Sequence, residues 1–280
     1  MTSPQAKTLT LVTGATGKTG RRVAQRLTDA GWPVRAGSRS GSPAFDWENP
    51  ATFGPALAGC AAAYVAYVPD LAVDGSLDAI KAFLEAAEAA GVKTIVLLSG
   101  RGEPEAQACE DELMGRGFAW TILRCSWFAQ NFSENFFLEG VLAGEVVTPA
   151  GLAPDPLVDA DDIAEAAFRA LTEDGHAGQL YEMTGPKALT FAEQVAEIAR
   201  ATGRDIRHVE VSIEDYRAAL DAADLPPGYT DLVMYLFTTV LDGRNTPVTD
   251  GVERALGRPP RSFAEFARKA AAEGAWDVPA

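Results

Sequence analysis

The sequence predicts an α/β fold, a doubly wound parallel sheet with a smaller, mainly helical C-terminal lobe. Three observations predict it. Short β-branched or aliphatic runs alternate with amphipathic stretches as far as Cys125. The first such run empties into three glycines spaced by three, and then into a helical pattern. Beyond Cys125 the alternation gives way to Trp127-Phe128-Ala129-Gln130-Asn131-Phe132-Ser133-Glu134-Asn135-Phe136-Phe137, dense in aromatic and amide side chains.

Thr8 to Val12 reads as a strand covered on both faces. From Arg21, the residues Val23, Ala24 and Leu27 fall at helical spacing, and Gly31 closes the segment. Pro33 to Gly37 reads as a second strand, ending in Ser38-Arg39-Ser40, and Phe45-Asp46-Trp47 as a short third. A brief helix over Ala51 to Ala58 precedes a fourth strand, Ala61 to Val68, stopped by Pro69. Leu77 to Ala90 carries Ile80, Phe83, Leu84 and Ala87 on one helical face, with Gly91 as its cap. Thr94 to Leu98 is a fifth strand, Glu103 to Met114 a helix and Trp120 to Leu123 a sixth strand. A Pro/Gly-rich loop, Thr148 to Pro156, leads to Asp161-Asp162, which resemble a catalytic carboxylate pair but at a helix start read as caps. Thr190 with Glu193 and Ser262 with Glu265 are capping boxes. Residues 1–125, with 157–184 returning to them, are assigned to a dinucleotide-binding core; 126–156 and 185–280 are assigned to the lobe.

The turn Gly14-Ala15-Thr16-Gly17-Lys18-Thr19-Gly20 can cradle a phosphate in two ways. A P-loop needs a glycine five positions before Gly17, and Val12 stands there inside the strand. The spacing G-x-x-G-x-x-G instead relates the turn to the Rossmann-type dinucleotide fingerprint: Gly14 makes the turn, Gly17 allows close approach and Gly20 packs helix on strand. A glycine-rich turn is also a plain tight connection; the strand before it and the helix after it favour a nucleotide.

Composition narrows the partners. The net charge of −15, from 24 basic and 39 acidic residues, argues against nucleic acid or an anionic membrane surface. No apolar run approaches the ~18 residues of a membrane span, and no N-terminal stretch has the pattern of a secretory signal. A cytoplasmic protein is expected. The three cysteines are too few and too far apart for a disulfide framework or a CxxC metal site, and neither histidine has a partner at metal-ligand spacing. No metal is expected.

In an open parallel sheet the ligand lies beyond the carboxyl ends of the strands. An Asp or Glu ending the second strand would hold the ribose hydroxyls of NAD; Ser38 and Arg39 stand there and suit the 2′-phosphate of NADP(H). Cofactor-binding candidates are therefore Gly14, Thr16, Gly17, Lys18, Thr19, Gly20, Ser38 and Arg39. Asp46 and Trp47 could flank the adenine, although Asp46 also suits a helix cap. Ala66, Tyr67, Val68, Pro69, Ser99 and Gly100, at the ends of the fourth and fifth strands, would line the ribose and nicotinamide. Tyr67 also fits a core aromatic with its hydroxyl at the rim. Trp127, Phe128, Phe132 and Phe136 either serve lobe packing or, with Asn131 and Asn135 interleaved at helical spacing, form a planar apolar pocket with two amide contacts.

An absence is equally informative. Carbonyl reduction by short-chain dehydrogenases uses a Tyr-x-x-x-Lys pair to protonate the nascent alkoxide, and no tyrosine here has a lysine four residues on. Ordinary ketone reduction and sugar-nucleotide epimerisation are disfavoured. An iminium ion or a quinone, whose hydride adduct needs no urgent proton, removes the need for that acid.

The chain resembles the NmrA-like atypical short-chain dehydrogenase/reductase family. The likeness rests on TGATGKTG, Asp46-Trp47, Thr121-Ile122-Leu123-Arg124 leading into Trp127-Phe128 and Gln130-Asn131-Phe132, Asp161-Asp162-Ile163-Ala164, and Gly257-Arg258-Pro259-Pro260 before Phe263 and Phe266. Within the family it looks most similar to the ergot-alkaloid reductases, of the agroclavine dehydrogenase and festuclavine synthase kind, and to NADPH:quinone reductase-like members. The resemblance implies a Rossmann fold, NADP(H) bound through the glycine turn and Ser38-Arg39, and a substrate cleft under the C-terminal lobe. Many relatives carry proline after the arginine of the sixth strand; Cys125 and Ser126 stand there in this chain, and Cys125 joins the substrate-binding candidates. The expected function is an NADPH-dependent reductase delivering hydride to a planar conjugated small molecule, with no residue assigned as catalytic acid. A redox-sensing regulator that binds NADP without turnover is the alternative, and a homodimer stays open beside the monomer.

Overall fold

The computed structural model describes residues 7–149 and 151–278. Eight strands run in chain order as β1 (Thr10–Thr13), β2 (Val34–Gly37), β3 (Ala62–Val65), β4 (Thr94–Gly100), β5 (Ala119–Cys125), β6 (Glu145–Pro149), β7 (Gln179–Met183) and β8 (Arg207–Val211). The α-helices are α1 (Gly20–Asp29), α2 (Phe53–Leu57), α3 (Ser76–Ala90), α4 (Pro104–Met114), α5 (Leu138–Ala143), α6 (Ala160–Thr172), α7 (Phe191–Thr202), α8 (Ile213–Ala222), α9 (Tyr229–Tyr235), α10 (Gly251–Leu256) and α11 (Phe263–Ala272). They fall into two compact units. The first holds the described residues up to Cys125 with Ala160–Met183 and Asp250–Arg258; the second holds Ser126–Asp159, Thr184–Thr249 and the described residues from Pro259.

The first unit is a six-stranded, all-parallel sheet in the order β2-β1-β3-β4-β5-β7. Alternation along the strands sends Leu11, Ala63, Val65, Ile95, Leu97 and Ile122 into one core with Phe53, Ile80, Phe83, Leu84 and Leu113 of α2, α3 and α4. Each large apolar side chain fully buried there contributes about 1.5–3 kcal/mol of transfer free energy. On the other face α1 packs on α6, and α6 against β3, β4 and β5. The order reverses direction between β1 and β3, the switch point of a doubly wound sheet.

Three expectations need correction here. Phe45-Asp46-Trp47 forms no strand: its backbone is held by Phe45 N–H donating to Ser38 O (2.9 Å) and Asp46 N–H donating to Thr52 Oγ1 (3.1 Å), while Phe45 and Trp47 turn into the aromatic core. Residues 250–258 belong with the sheet unit, because Gly251 sits against the Glu182 backbone with no room for a Cβ and Arg258 pairs with Asp162 (2.8 Å) and Glu165 (2.5 Å) of α6. Asp161 and Asp162 lie inside the first turn of α6, where Asp161 accepts from Arg22 Nε at 2.9 Å and fully buried Asp162 accepts from Arg258; they are ion-pair partners.

The second unit combines α5, α7, α8, α9 and α11 with a two-stranded parallel ribbon of β6 and β8. Its core is aromatic: Phe132, Phe137, Phe191, Phe237, Phe263, Phe266 and Trp276, with Trp276 Nε1 donating to Phe132 O at 2.8 Å. Both capping boxes form, on Thr190 and Ser262. The aromatic segment is not one helix. A single 3-10 turn, Ala129–Asn131, is followed by Asn135 at φ 93°, which breaks helical spacing between the two asparagines. Among the described residues no helix is long and apolar enough to cross a membrane, and no cluster of His, Cys, Asp and Glu could hold a metal ion.

Candidate functional site

The glycine turn is closed upon itself. Gly14, at φ 58°, accepts the Gly17 amide at 2.8 Å, and a Cβ on Gly20 would run into the Gly14 carbonyl group, 2.6 Å from its carbon. Helix α1 therefore starts in contact with the turn, and its first N–H groups stand at the positive end of the helix dipole. Thr16 and Gly17 are exposed, Lys18 is half-buried and Thr19 is buried. At the switch point a Cβ on Gly14 would meet Ala66 Cβ at 3.3 Å, and Thr13 Oγ1 ties the end of β1 to Ala66, accepting its amide at 2.8 Å and donating to its carbonyl at 3.1 Å. Side-chain-free backbone at a helix start, on the carboxyl edge of a parallel sheet, fits a pyrophosphate.

The end of β2 passes within van der Waals reach of β1, where a Cβ on Gly37 would stand 3.1 Å from Val12 O. Ser38 follows, half-buried, its hydroxyl 3.4 Å from that of Ser40. Arg39 is exposed, and among the described residues its guanidinium has no hydrogen-bond or ionic partner. A free guanidinium beside a hydroxyl fits a phosphate monoester. Asp46 accepts the Glu48 amide at 3.1 Å instead of capping a helix; the cap there is Asn49. Trp47 is fixed by Nε1 donating to Ala66 O (3.3 Å) and by rings of Phe45, Phe53, Tyr67 and Phe83 at 4.9–5.6 Å, so it braces the strand end from within the core. Tyr67 is half-buried against it, its hydroxyl pushed up by burial and by neighbouring Cys109 and Glu48. Val68 and Pro69 are exposed.

Beyond β4 and β5 lies a carboxyl network. Ser99 is buried and its hydroxyl donates to Glu110 Oε1 at 2.5 Å; Arg124 Nε donates to the same oxygen at 2.9 Å, and Arg124 Nη2 to Glu110 Oε2. The Ser99 hydroxyl is thus committed inside the fold. Sequence reasoning passed over Asp70 and Glu103. Glu103, 5% exposed, is the N-cap residue of α4 but makes no side-chain cap; it folds over Gly100, whose Cβ would overlap the carboxyl group. Burial, then the facing Asp70 carboxyl, push Glu103 well above the usual range, and burial pushes Asp70 up as well. The helix terminus favours the carboxylate by only about 0.3–1 kcal/mol, less than burial beside a like charge opposes it. Gly100 three residues before Glu103 was the one signal in the sequence. Cys125 is buried, and burial raises its thiol well above the usual value.

In the second unit the structure separates the substrate candidates. Phe132 is a core residue, 1% exposed and stacked on Phe137 at 4.8 Å, which corrects its assignment to a ligand pocket. Trp127 is half-buried with its ring 5.2 Å from that of Phe237, and Phe128 is half-buried, pairing its backbone with Val158. Asn131 is half-buried and Asn135 exposed; among the described residues neither side-chain amide has a partner. Both amides are thus free to hydrogen-bond the polar edge of a ligand.

Comparison with known proteins bears on this arrangement. The model of a family described as NAD(P)H-binding matches residues 14–174. The chain is 34% identical to the uncharacterized oxidoreductase YesF of Bacillus subtilis, over 94% of this chain and 95% of that protein. It is 32% identical to the NAD(P)H azoreductase of Xenophilus azovorans (94% and 98%) and 30% identical to the agroclavine dehydrogenase of Claviceps fusiformis (91% and 95%). The crystal structure of the NADPH-dependent quinone oxidoreductase QOR2 of Escherichia coli, complexed with NADPH, shares the fold at TM-score 0.77 and 23% identity, covering 93% of this chain and 99% of that one.

Proposed function

We propose that this chain, which belongs to the NmrA-like family of NAD(P)H-binding oxidoreductases, uses NADPH to reduce a planar conjugated acceptor: an imine or iminium ion, or a quinone-like compound. The observation that carries the acceptor reading is Glu110. On α4, the helix that would bear a Tyr-x-x-x-Lys pair, the buried polar side chain is a carboxylate already saturated by Ser99 and Arg124. A group held in this way is not available to a reacting alkoxide. Hydride acceptors that delocalise the incoming charge relax that demand, and the azo and quinone compounds in the names of two similar proteins are acceptors of this kind.

When bound, the dinucleotide supplies the hydride; the chain binds and orients. Gly14, Thr16, Gly17, Lys18, Thr19 and Gly20 hold the pyrophosphate, and Ser38 with Arg39 the 2′-phosphate, which favours NADP(H) over NAD(H). Ala66 to Pro69 and Gly100 flank the ribose and nicotinamide. Trp127, Phe128, Asn131 and Asn135 orient the acceptor, so that positioning provides most of the acceleration.

The test is NADPH consumption by the purified protein with a panel of iminium compounds, quinones and azo dyes, beside fluorescence titrations with NADPH and NADH. Turnover of at least one class and tighter binding of NADPH are expected. Tight NADPH binding with no consumption across the panel would leave a redox-sensing regulator as the function.

A further inference from the structure

Asp70 and Glu103 come from the loops that follow two adjacent strands, β3 and β4, and their carboxyl groups are neighbours there. Glu103 is nine-tenths buried and its Oε2 has no hydrogen-bond partner among the described residues. Asp70 is half-buried and accepts the Ala72 amide at 2.9 Å, so it is the less enclosed member of the pair. The charged and titratable groups facing Glu103 are Asp70 from the β3 loop, Glu105 and Glu110 from α4, and the Cys125 thiol from β5. The arginines on the flanking segments are engaged elsewhere, Arg101 with Glu182 and Arg124 with Glu110. Among the described residues no cation pairs with either carboxyl. Two neighbouring carboxyls without a cation oppose each other's ionisation, so one of them holds its proton more tightly than an isolated carboxyl does. Glu103 lies against Gly100, at the carboxyl edge where an open parallel sheet holds its ligand.

We propose that the Asp70–Glu103 pair is the proton store of this site, Glu103 giving a proton to acceptors whose reduction ends on oxygen or nitrogen and Asp70 passing its replacement in from solvent. The inference rests on the reductase reading. Hydride adds to one end of the acceptor's conjugated double-bond system, whose π pair moves to the terminal oxygen or nitrogen. That atom takes the proton from the Glu103 carboxyl group. Two adjacent carboxylates remain, and their mutual repulsion draws one proton from water through Asp70, restoring the pair. An iminium ion needs none of this, because hydride alone makes a neutral amine.

The test has two independent readouts on the full chain. Infrared spectroscopy across a pH titration without any cofactor is expected to show a protonated carboxyl band that persists above the ordinary carboxylate range and that Glu103→Gln removes. The ratio of quinone to iminium reduction rates is expected to fall by about 10²-fold in Glu103→Gln, the scale of a lost general acid. Asp70→Asn, which removes the repelling charge but keeps the shape, is expected to move the alkaline limb of quinone reduction to lower pH. A missing band, an unchanged ratio, or an unmoved limb overturns the proton store even in an active reductase. No NADPH consumption by the wild-type protein with the band intact overturns the reductase reading, and the donor role with it.

Discussion

Glu110 and Ser99 form a 2.5 Å hydrogen bond wholly inside the sheet unit, with Arg124 completing the carboxylate's contacts from β5. This links α4 to the ends of β4 and β5, the two strands beside the proposed nicotinamide site. Glu110 is fully buried and Arg124 is 21% exposed, so the arginine can recover some hydration when left alone and the glutamate cannot. Removing one partner of a buried ion pair costs about 3–5 kcal/mol, chiefly from the charge left behind. Arg124→Ala should therefore destabilise by about 3 kcal/mol or more, and Glu110→Gln by less. Urea unfolding of both variants checks the order, which a purely packing role would not produce.

Arg39 is an exposed guanidinium without a partner, so its replacement should leave the fold untouched. A charge-assisted hydrogen bond contributes about 1.5–3 kcal/mol, or roughly a 10- to 150-fold change in affinity. Arg39→Ala should weaken NADPH by that factor and leave NADH almost unchanged, as read by fluorescence titration. Equal weakening of both dinucleotides would remove Arg39 from the 2′-phosphate site.

Gly20→Ala tests the turn itself. The added methyl would overlap the Gly14 carbonyl, and the obstacle is backbone that cannot rotate away. Overpacking of this kind costs about 1–3 kcal/mol, and relief requires moving α1 off the turn. The variant should melt at a lower temperature and lose the stabilisation that NADPH gives the wild-type protein, both measurable in one thermal-shift series with and without the cofactor.

What was legible in the sequence was what is local. The turn from Gly14 to Gly20 carries its own geometry in its spacing, and each capping box lies within four residues, so the tight turn at Gly14, the close packing at Gly20 and both boxes match their reading. Phe45-Asp46-Trp47 misled because alternation of apolar side chains specifies an extended backbone, while a strand also needs a neighbour, and none pairs with it. Phe132 misled for a related reason: an aromatic within an amide-rich stretch reads the same whether its ring enters a pocket or stacks on Phe137. The Asp70–Glu103 contact was out of reach because strand order creates it. Only when β3 and β4 are adjacent do their loops bring the two carboxyls together.

Glu103 also predicts how stability follows pH. Its carboxyl titrates well above the ordinary 4.5 in the native protein, because of burial and the Asp70 carboxyl, and near 4.5 once unfolded. Between those two values the native state keeps a proton that the unfolded chain has released. Stability from this group is therefore full below about pH 4.5 and is lost as pH rises through the native value. Glu165 behaves in the opposite way: although partly buried, it is held low by Arg258 and Arg169, so its contribution is present above 4.5 and lost in acid. Comparison of wild-type protein with Glu103→Gln removes Glu165 and every other common group from the difference. The unfolding free energy of the wild-type protein should fall relative to the variant as pH rises above about 4.5. A difference that stays flat, or rises, would mean that Glu103 is ionised in the native protein at low pH, held by a partner other than Asp70.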